Sequence, residues 1–215
     1  NDRYNVIIKD QSQFTILNIT IEEDIPIGTP LPFSWNAASG EYSFNGQFGL
    51  GVGGAVPVYI GSGTDINSTF GASPVNIYMR SLRSQTVYTR TELNEAGSFG
   101  TGMISMLGYY IANPPEYPLP NFIIRMKHTG SQDAAQHDTG PFTTVFERTY
   151  SPSPGWDYLT LSPPFIWNGV DNILIDTAFS PTESYSSSGQ QRIYNYPNGF
   201  RFSRHDTNDQ RNAAT

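Results

Sequence analysis

Short apolar runs alternate along the chain with clusters of glycine, proline and asparagine, and this pattern predicts β-strands joined by tight turns. In residues 121–128, Phe122, Ile124 and Met126 occupy every second position and Arg125 lies between them, which indicates a strand with one wet side. Similar patterns predict strands at residues 13–21, 75–80, 102–111, 143–150 and 156–161.

Asn-Gly dipeptides stand between several of the strand-like runs. Both residue types tolerate the positive φ angles of a two-residue type I′ turn, so each dipeptide predicts a β-hairpin. The dipeptides are Asn45-Gly46, Asn168-Gly169 and Asn198-Gly199.

One short helix is predicted, because Thr89 and Glu92 form a capping box, Leu93 follows as an apolar residue, and Gly97 supplies a stop. One helical turn among about ten strands favours an all-β fold, a jelly-roll-like antiparallel β-sandwich. Residues 1–54, rich in proline and glycine, are predicted as an N-terminal β extension and a candidate inter-subunit strand. Residues 55–215 are predicted to form the sandwich.

The composition narrows the classes of partner. Only 14% of residues are charged, and 19 acidic against 12 basic residues give a net charge of −7. A nucleic-acid partner is not expected, since there is no excess of basic residues to neutralise phosphates. No run of about 18 apolar residues occurs, so membrane insertion is not expected. The absence of cysteine excludes disulfides and thiol nucleophiles.

The sequence carries no catalytic motif of a common hydrolase, and we expect no enzymatic activity and no cofactor. Asp171 and Asp176 are five positions apart, so on one strand they would lie on opposite faces and could not flank a sugar as a glycosidase pair does. The histidine spacing matches no zinc site. Loop carboxylates at Asp65, Asp138 and Asp171 are candidate ligands of a structural calcium ion.

Aromatic residues are more numerous than a core needs, and aromatic rings can stack on sugars. Arg192, Tyr194 and Tyr196 alternate within a predicted hairpin strand, and we predict them as an exposed ligand face. The wider set of aromatic candidates is Trp35, Tyr109, Tyr110, Tyr117, Trp156, Tyr158, Tyr185, Tyr194 and Tyr196.

Residues 58–215 resemble a module repeated in large secreted, adhesin-like surface proteins of Gram-negative bacteria, which often end in a C-terminal sorting domain. The resemblance rests on the runs 74–85, 88–93, 122–129 and 164–175 and on Gly155-Trp156. It implies a jelly-roll sandwich, export to the cell surface and no enzymatic role.

The chain departs from the module at both ends, because the closing strand expected after residues 206–212 is missing and the N-terminal extension is additional. An incomplete sheet offers an edge that accepts an added strand. The predicted assembly strand comprises Phe14, Ile16, Leu17, Ile19 and Ile21. Whether it pairs within its own chain or completes a neighbouring copy stays open.

These observations together predict a non-catalytic structural or adhesive subunit of an extracellular bacterial surface assembly. Its expected partners are other copies of itself or neighbouring surface modules, with glycans as a further candidate. The alternative is a carbohydrate-binding module that uses exposed aromatic residues.

Overall fold

The structure is a computed structural model. It describes the backbone of residues 3–9, 14–20, 30–39 and 42–51, and it describes residues 57–98, 100–186, 188–211 and 213 in full. The chain divides into two compact units, Asn1–Pro57 and Val58–Thr215. The division predicted after residue 54 stays a prediction, because residues 52–56 lie outside the described part of the chain.

The first unit contains, in its described residues, two antiparallel strand pairs. β1 (Arg3–Lys9) pairs with β2 (Phe14–Thr20), and β3 (Pro30–Ser39) pairs with β4 (Tyr42–Gly51). The strand predicted at residues 13–21 is therefore found as β2.

The hairpin predicted around Asn45-Gly46 is wrong. Both residues lie inside β4, where Asn45 is opposite Asn36 and Gly46 is opposite Trp35. The partner strand β3 begins with a Pro-Leu-Pro sequence, which weakens its strand signal although an edge strand tolerates proline. A long register with β3 thus overrides the local turn preference of the dipeptide.

The second unit is an antiparallel β-sandwich with one short helix, α1 (Arg90–Glu95), and the predicted all-β class is confirmed. One sheet has the strand order β12-β5-β10-β7-β8, and the other has the order β11-β6-β9. The strands are β5 (Ser81–Tyr88), β6 (Gly102–Asn113), β7 (Leu119–Thr129), β8 (Thr143–Tyr150), β9 (Gly155–Trp167), β10 (Asn172–Phe179), β11 (Gln190–Gln191) and β12 (Phe200–His205).

The strands of the second unit are wound in nested pairs. The β7–β8 hairpin is innermost, β6 pairs with β9 around it, and β5 pairs with β10 outside both. β11 and β12 then lie beside β6 and β5. The jelly-roll topology and the count of about ten strands stay predictions.

The core lies between the two sheets. Phe122, Ile124 and Met126 of β7 are fully buried and share one cluster with Phe165 and Trp167 of β9 in the opposite sheet. Each buried side chain of this size stabilises the fold by roughly 1.5–3 kcal/mol relative to an exposed one. The alternating apolar residues predicted for β7 therefore form the face of the strand that points into the core.

The two remaining Asn-Gly dipeptides bend the chain but do not close hairpins. Gly169 has a φ of 73° and Asn198 a φ of 53°, so the left-handed conformation is used as expected. However, β9 and β10 belong to different sheets, and so do β11 and β12. The predicted turns are present, whereas the predicted strand pairings are wrong because each flanking strand pairs with a distant partner.

Two local predictions near β5 have opposite outcomes. The strand predicted at residues 75–80 is wrong, since regular pairing starts only at Ser81. The predicted helix is confirmed as α1, where the Glu92 N–H donates to the Thr89 hydroxyl at 3.2 Å and the Thr89 N–H donates to the Glu92 carboxylate at 2.8 Å. Leu93 is its buried residue.

Candidate binding site

Strand β9 places large aromatic side chains on the outer face of the three-stranded sheet. Leu159 and Leu161 point into the core, so the alternate residues Trp156 and Tyr158 lie on the solvent side. Their exposed fractions are 45% and 47%, and Tyr59, which contacts Trp156, is 51% exposed. Such a group of adjacent, half-exposed rings is unusual on a protein surface and marks a candidate interaction site.

We call Tyr59, Tyr110, Trp156 and Tyr158 the aromatic face. The Trp156 ring centroid lies 5.2 Å from that of Tyr59 and 5.7 Å from that of Tyr110, both in edge-on contacts. It lies 6.1 Å from that of Tyr158, and the planes of these two rings differ by only 17°. A side-chain hydrogen bond with Tyr59 raises the pKa of Tyr158 and ties the outer rings together.

A glycine on the neighbouring strand makes room for one of these rings. Gly108 lies opposite Tyr158 in the β6–β9 register. A Cβ atom placed on Gly108 would lie 2.8 Å from both Cδ1 and Cε1 of Tyr158. The Tyr158 ring therefore lies over bare glycine backbone, and a larger residue at position 108 would displace it.

The start of β9 is anchored by Asp157, which lies between Trp156 and Tyr158 in the sequence. Asp157 accepts hydrogen bonds from the Tyr150 hydroxyl at 3.0 Å and from the Ser153 N–H at 2.7 Å. Burial and the nearby Asp157 charge raise the pKa of Tyr150, which keeps that hydroxyl protonated as a donor. These bonds fix the backbone that carries Trp156 and Tyr158.

Arg192 extends the aromatic face on the side away from β9. Its guanidinium carbon lies 3.6 Å from the centre of the Tyr110 ring, and its backbone N–H donates to the Tyr110 carbonyl at 2.9 Å. Within the described residues, the guanidinium forms no hydrogen bond and no ion pair. Arg192, Tyr110 and Trp156 thus form a row across the sheet, with Tyr158 next along β9.

The ligand face predicted at Arg192, Tyr194 and Tyr196 rests on a strand that the structure does not contain. Only Arg192 takes part in an isolated bridge, with Ile66, and residues 193–196 form a loop. Tyr194 is half-buried and donates to the Glu92 carboxylate at 2.5 Å. Tyr196 is exposed beside the 197–198 turn. Period-two alternation does not apply to a loop, so the strand behind this prediction is wrong, and a ligand face of these three residues stays a prediction. Arg192 does reach the aromatic face.

The remaining aromatic candidates have separate roles. Tyr109 and Tyr117 pack against the core, and burial raises the pKa of Tyr109. Tyr185 is exposed, and Trp35 lies in β3, where only the backbone is described. Tyr59 is the residue that the sequence did not indicate, because it lies in a loop without strand periodicity.

The opposite outer face, on the five-stranded sheet, carries a buried charge cluster. Asp176 is fully buried and accepts from Arg83 Nε at 2.7 Å, Gln85 Nε2 at 2.7 Å and Arg125 Nε at 2.8 Å. Arg83 also donates to the Ala213 carbonyl at 2.5 Å. Donors therefore surround the Asp176 carboxylate, and the C-terminal segment covers it.

The calcium candidates are held in separate interactions. Asp138 forms an ion pair with Lys127 at 2.8 Å, and Asp171 accepts from the Asn168 amide at 2.7 Å. Among the residues that the structure describes, no group of three acidic or histidine side chains is placed to hold a metal ion. Structural calcium stays a prediction.

The predicted assembly residues lie in the first unit. Phe14, Ile16, Leu17 and Ile19 belong to β2, where Ile16 is opposite Ile7 and Leu17 opposite Val6 in the register with β1. Ile21 lies outside the described residues.

Comparisons with known protein families, with curated proteins and with solved structures find no match. In the described part of the chain, no helix is long and apolar enough to cross a membrane.

Proposed function

We propose that this protein is a non-catalytic adhesive module of an extracellular bacterial surface assembly, and that its aromatic face binds carbohydrate. The observation that carries the proposal is the pair of exposed, nearly parallel rings of Trp156 and Tyr158 on a rigid sheet. The C–H groups on one side of a sugar ring form an apolar patch with slight positive charge, which complements the negative face of an aromatic ring. Rings that are already fixed lose little entropy on binding.

The test of this proposal compares two aromatic truncations. Trp156→Ala removes the ring that contacts the other three members of the aromatic face, and we expect glycan affinity to fall roughly tenfold or more. Tyr185→Ala is the matched control, since Tyr185 is 67% exposed and lies outside the aromatic face. Binding is measured on a glycan array and then by calorimetry with the saccharides that bind.

Equal loss of affinity in both variants, or none in Trp156→Ala, would contradict the proposal. Gly108→Val is a second test, because the valine side chain would displace the Tyr158 ring although no aromatic residue is removed from the sequence. It should weaken glycan binding in the same direction as Trp156→Ala.

A second function, assembly through the N-terminal strand, is favoured by the small size of the first unit's sheets. The described strands form two sheets of only two strands each. A two-stranded sheet is marginally stable in water, and a third strand supplies the pairing it lacks. In the β1–β2 pair, β1 occupies one edge of β2, and the other edge is the one that we propose joins a neighbouring copy.

Deletion of residues 1–24 tests this second function. We expect the full chain to form ordered oligomers or fibres in light scattering and negative-stain imaging, and the deletion variant to remain monomeric. A two-dimensional NMR spectrum checks that the second unit stays folded in the variant. Monomers in both samples would rule out assembly through this strand.

A further inference from the structure

The arginine beside the aromatic face differs from the buried arginines of the same unit. Arg83 and Arg125 are neutralised by Asp176 at 2.7 Å and 2.5 Å. The Arg192 guanidinium carbon instead lies 3.6 Å from the centre of the Tyr110 ring and, among the described residues, the group is paired with no carboxylate. The backbone carbonyl of Asp65 accepts a hydrogen bond from the N–H of Ile193, the residue after Arg192, at 2.8 Å.

A guanidinium that packs on an aromatic ring can still donate from its N–H groups to a further partner. The contact with the Tyr110 ring therefore leaves Arg192 able to bind an anion. A carboxylate matches two of these donors at once, which makes arginine a specific partner for that group. Tyr110 connects this cation to Trp156, so a ligand stacked on Trp156 brings its neighbouring substituents towards Arg192.

The overall charge limits which anions fit. With a net charge of −7, the chain repels polyanions at long range, and Arg192 is a single cation. The site therefore suits one carboxylate at short distance and does not suit a highly sulfated chain.

We propose that the aromatic face takes an acidic saccharide, a uronic or sialic acid, whose ring stacks on Trp156 and whose carboxylate binds Arg192. This inference rests on the proposed carbohydrate function and adds the substrate class. The arginine supplies the preference for acidic sugars, and the rings supply the affinity that acidic and neutral sugars share.

The test uses saccharides with a single carboxylate that is either free or methyl-esterified. The methyl glycoside of galacturonic acid and sialyllactose are each compared with their neutral methyl esters by calorimetry. We expect the wild-type protein to bind at least one acid roughly tenfold or more tightly than its ester, the range of a charge-assisted hydrogen bond. Raising the salt concentration should weaken binding of the acid and leave binding of the ester nearly unchanged.

Two arginine variants locate the effect. Arg192→Gln should remove the preference for the acid, so that the acid and its ester bind with similar affinity. Arg148→Gln is the matched control, because Arg148 also lies over an aromatic ring, that of Phe146 at 4.6 Å, on another part of the sandwich. It should keep the preference intact.

The outcomes separate this inference from the proposed function. If saccharides bind in a Trp156-dependent way but acid and ester bind equally, the acidic-sugar inference is overturned and the carbohydrate function stands. If the acid is preferred equally in wild type and Arg192→Gln, the role of Arg192 is overturned. If no saccharide on the array binds, the carbohydrate function fails and the inference fails with it.

Discussion

The two outer faces of the sandwich differ in which side chains they bury and which they expose. On the five-stranded sheet, the charged side chains around Asp176 are buried, and the C-terminal segment and the loop around Asp138 cover them. We call this surface the covered face. On the three-stranded sheet, the large rings of Trp156 and Tyr158 are left uncovered. The usual distribution would place the charges in water and the rings inside.

The buried charges and the exposed rings have different physical explanations. A buried charge is retained when its partners satisfy it, and Asp176 with its three side-chain partners is a closed structural unit. A half-exposed ring stabilises the fold less than a buried one, and a cluster of such rings is typical of an interaction site. The covered face therefore serves stability, and the aromatic face is the surface that we propose for binding.

The largest expected effect comes from breaking the covered face. Asp176→Asn removes the negative charge that both Arg83 and Arg125 contact and leaves one buried and one partly buried guanidinium group without a counter-charge. We expect the free energy of unfolding to fall by about 3–5 kcal/mol. Urea denaturation followed by fluorescence measures the change.

Two controls sharpen this result. Asp206→Asn removes an exposed carboxylate from the same unit and should leave the unfolding free energy nearly unchanged. Trp156→Ala on the opposite face should cost about 1 kcal/mol at most, because its ring is half-exposed. A loss of stability in Trp156→Ala as large as in Asp176→Asn would show that the aromatic face stabilises the fold as much as the covered face does.

Local signals in the sequence predicted the elements whose stability is local. The capping box of α1 and the alternation of β7 need only neighbouring residues, and both are present. β5 escaped prediction because Arg83 and Gln85 interrupt its apolar pattern. Their partner Asp176 lies about 90 residues further along the chain, and nothing near β5 indicates it.

The binding site shows the same limit. In the strand predicted at residues 156–161, Trp156 and Tyr158 alternate with Leu159 and Leu161, a pattern that places the two rings on the face opposite the leucines. The ligand face was nevertheless predicted at Tyr194, since Tyr194 and Tyr196 show equal spacing. Only the tertiary fold distinguishes the two pairs, because it places Gly108 beneath Tyr158 and bonds Tyr194 to Glu92.

The smallest expected effect is a pH dependence confined to the covered face. Burial alone would raise the pKa of Asp138, but hydrogen bonds from Lys127 and the Gly140 N–H, with the charges of Lys127 and Arg83, outweigh it and lower the pKa below the ordinary 3.8. A carboxyl whose pKa is lower in the folded state stabilises the fold above the unfolded-state pKa, and this contribution is lost as the pH falls through the folded-state value.

The unfolding free energy should therefore fall below pH 4, with a contribution from Asp138 of about 1 kcal/mol or less, as expected for a partly exposed ion pair. Asp138→Asn should lower stability at neutral pH and reduce the acid sensitivity, whereas Trp156→Ala should keep the wild-type pH profile, because the aromatic face lacks this ion pair. Urea denaturation at pH 7 and at pH 3 measures both. If Asp138→Asn were as sensitive to acid as the wild type, another group would be responsible for the loss of stability. The ion pair between Lys127 and Asp138 would then not be among the interactions that stabilise the covered face.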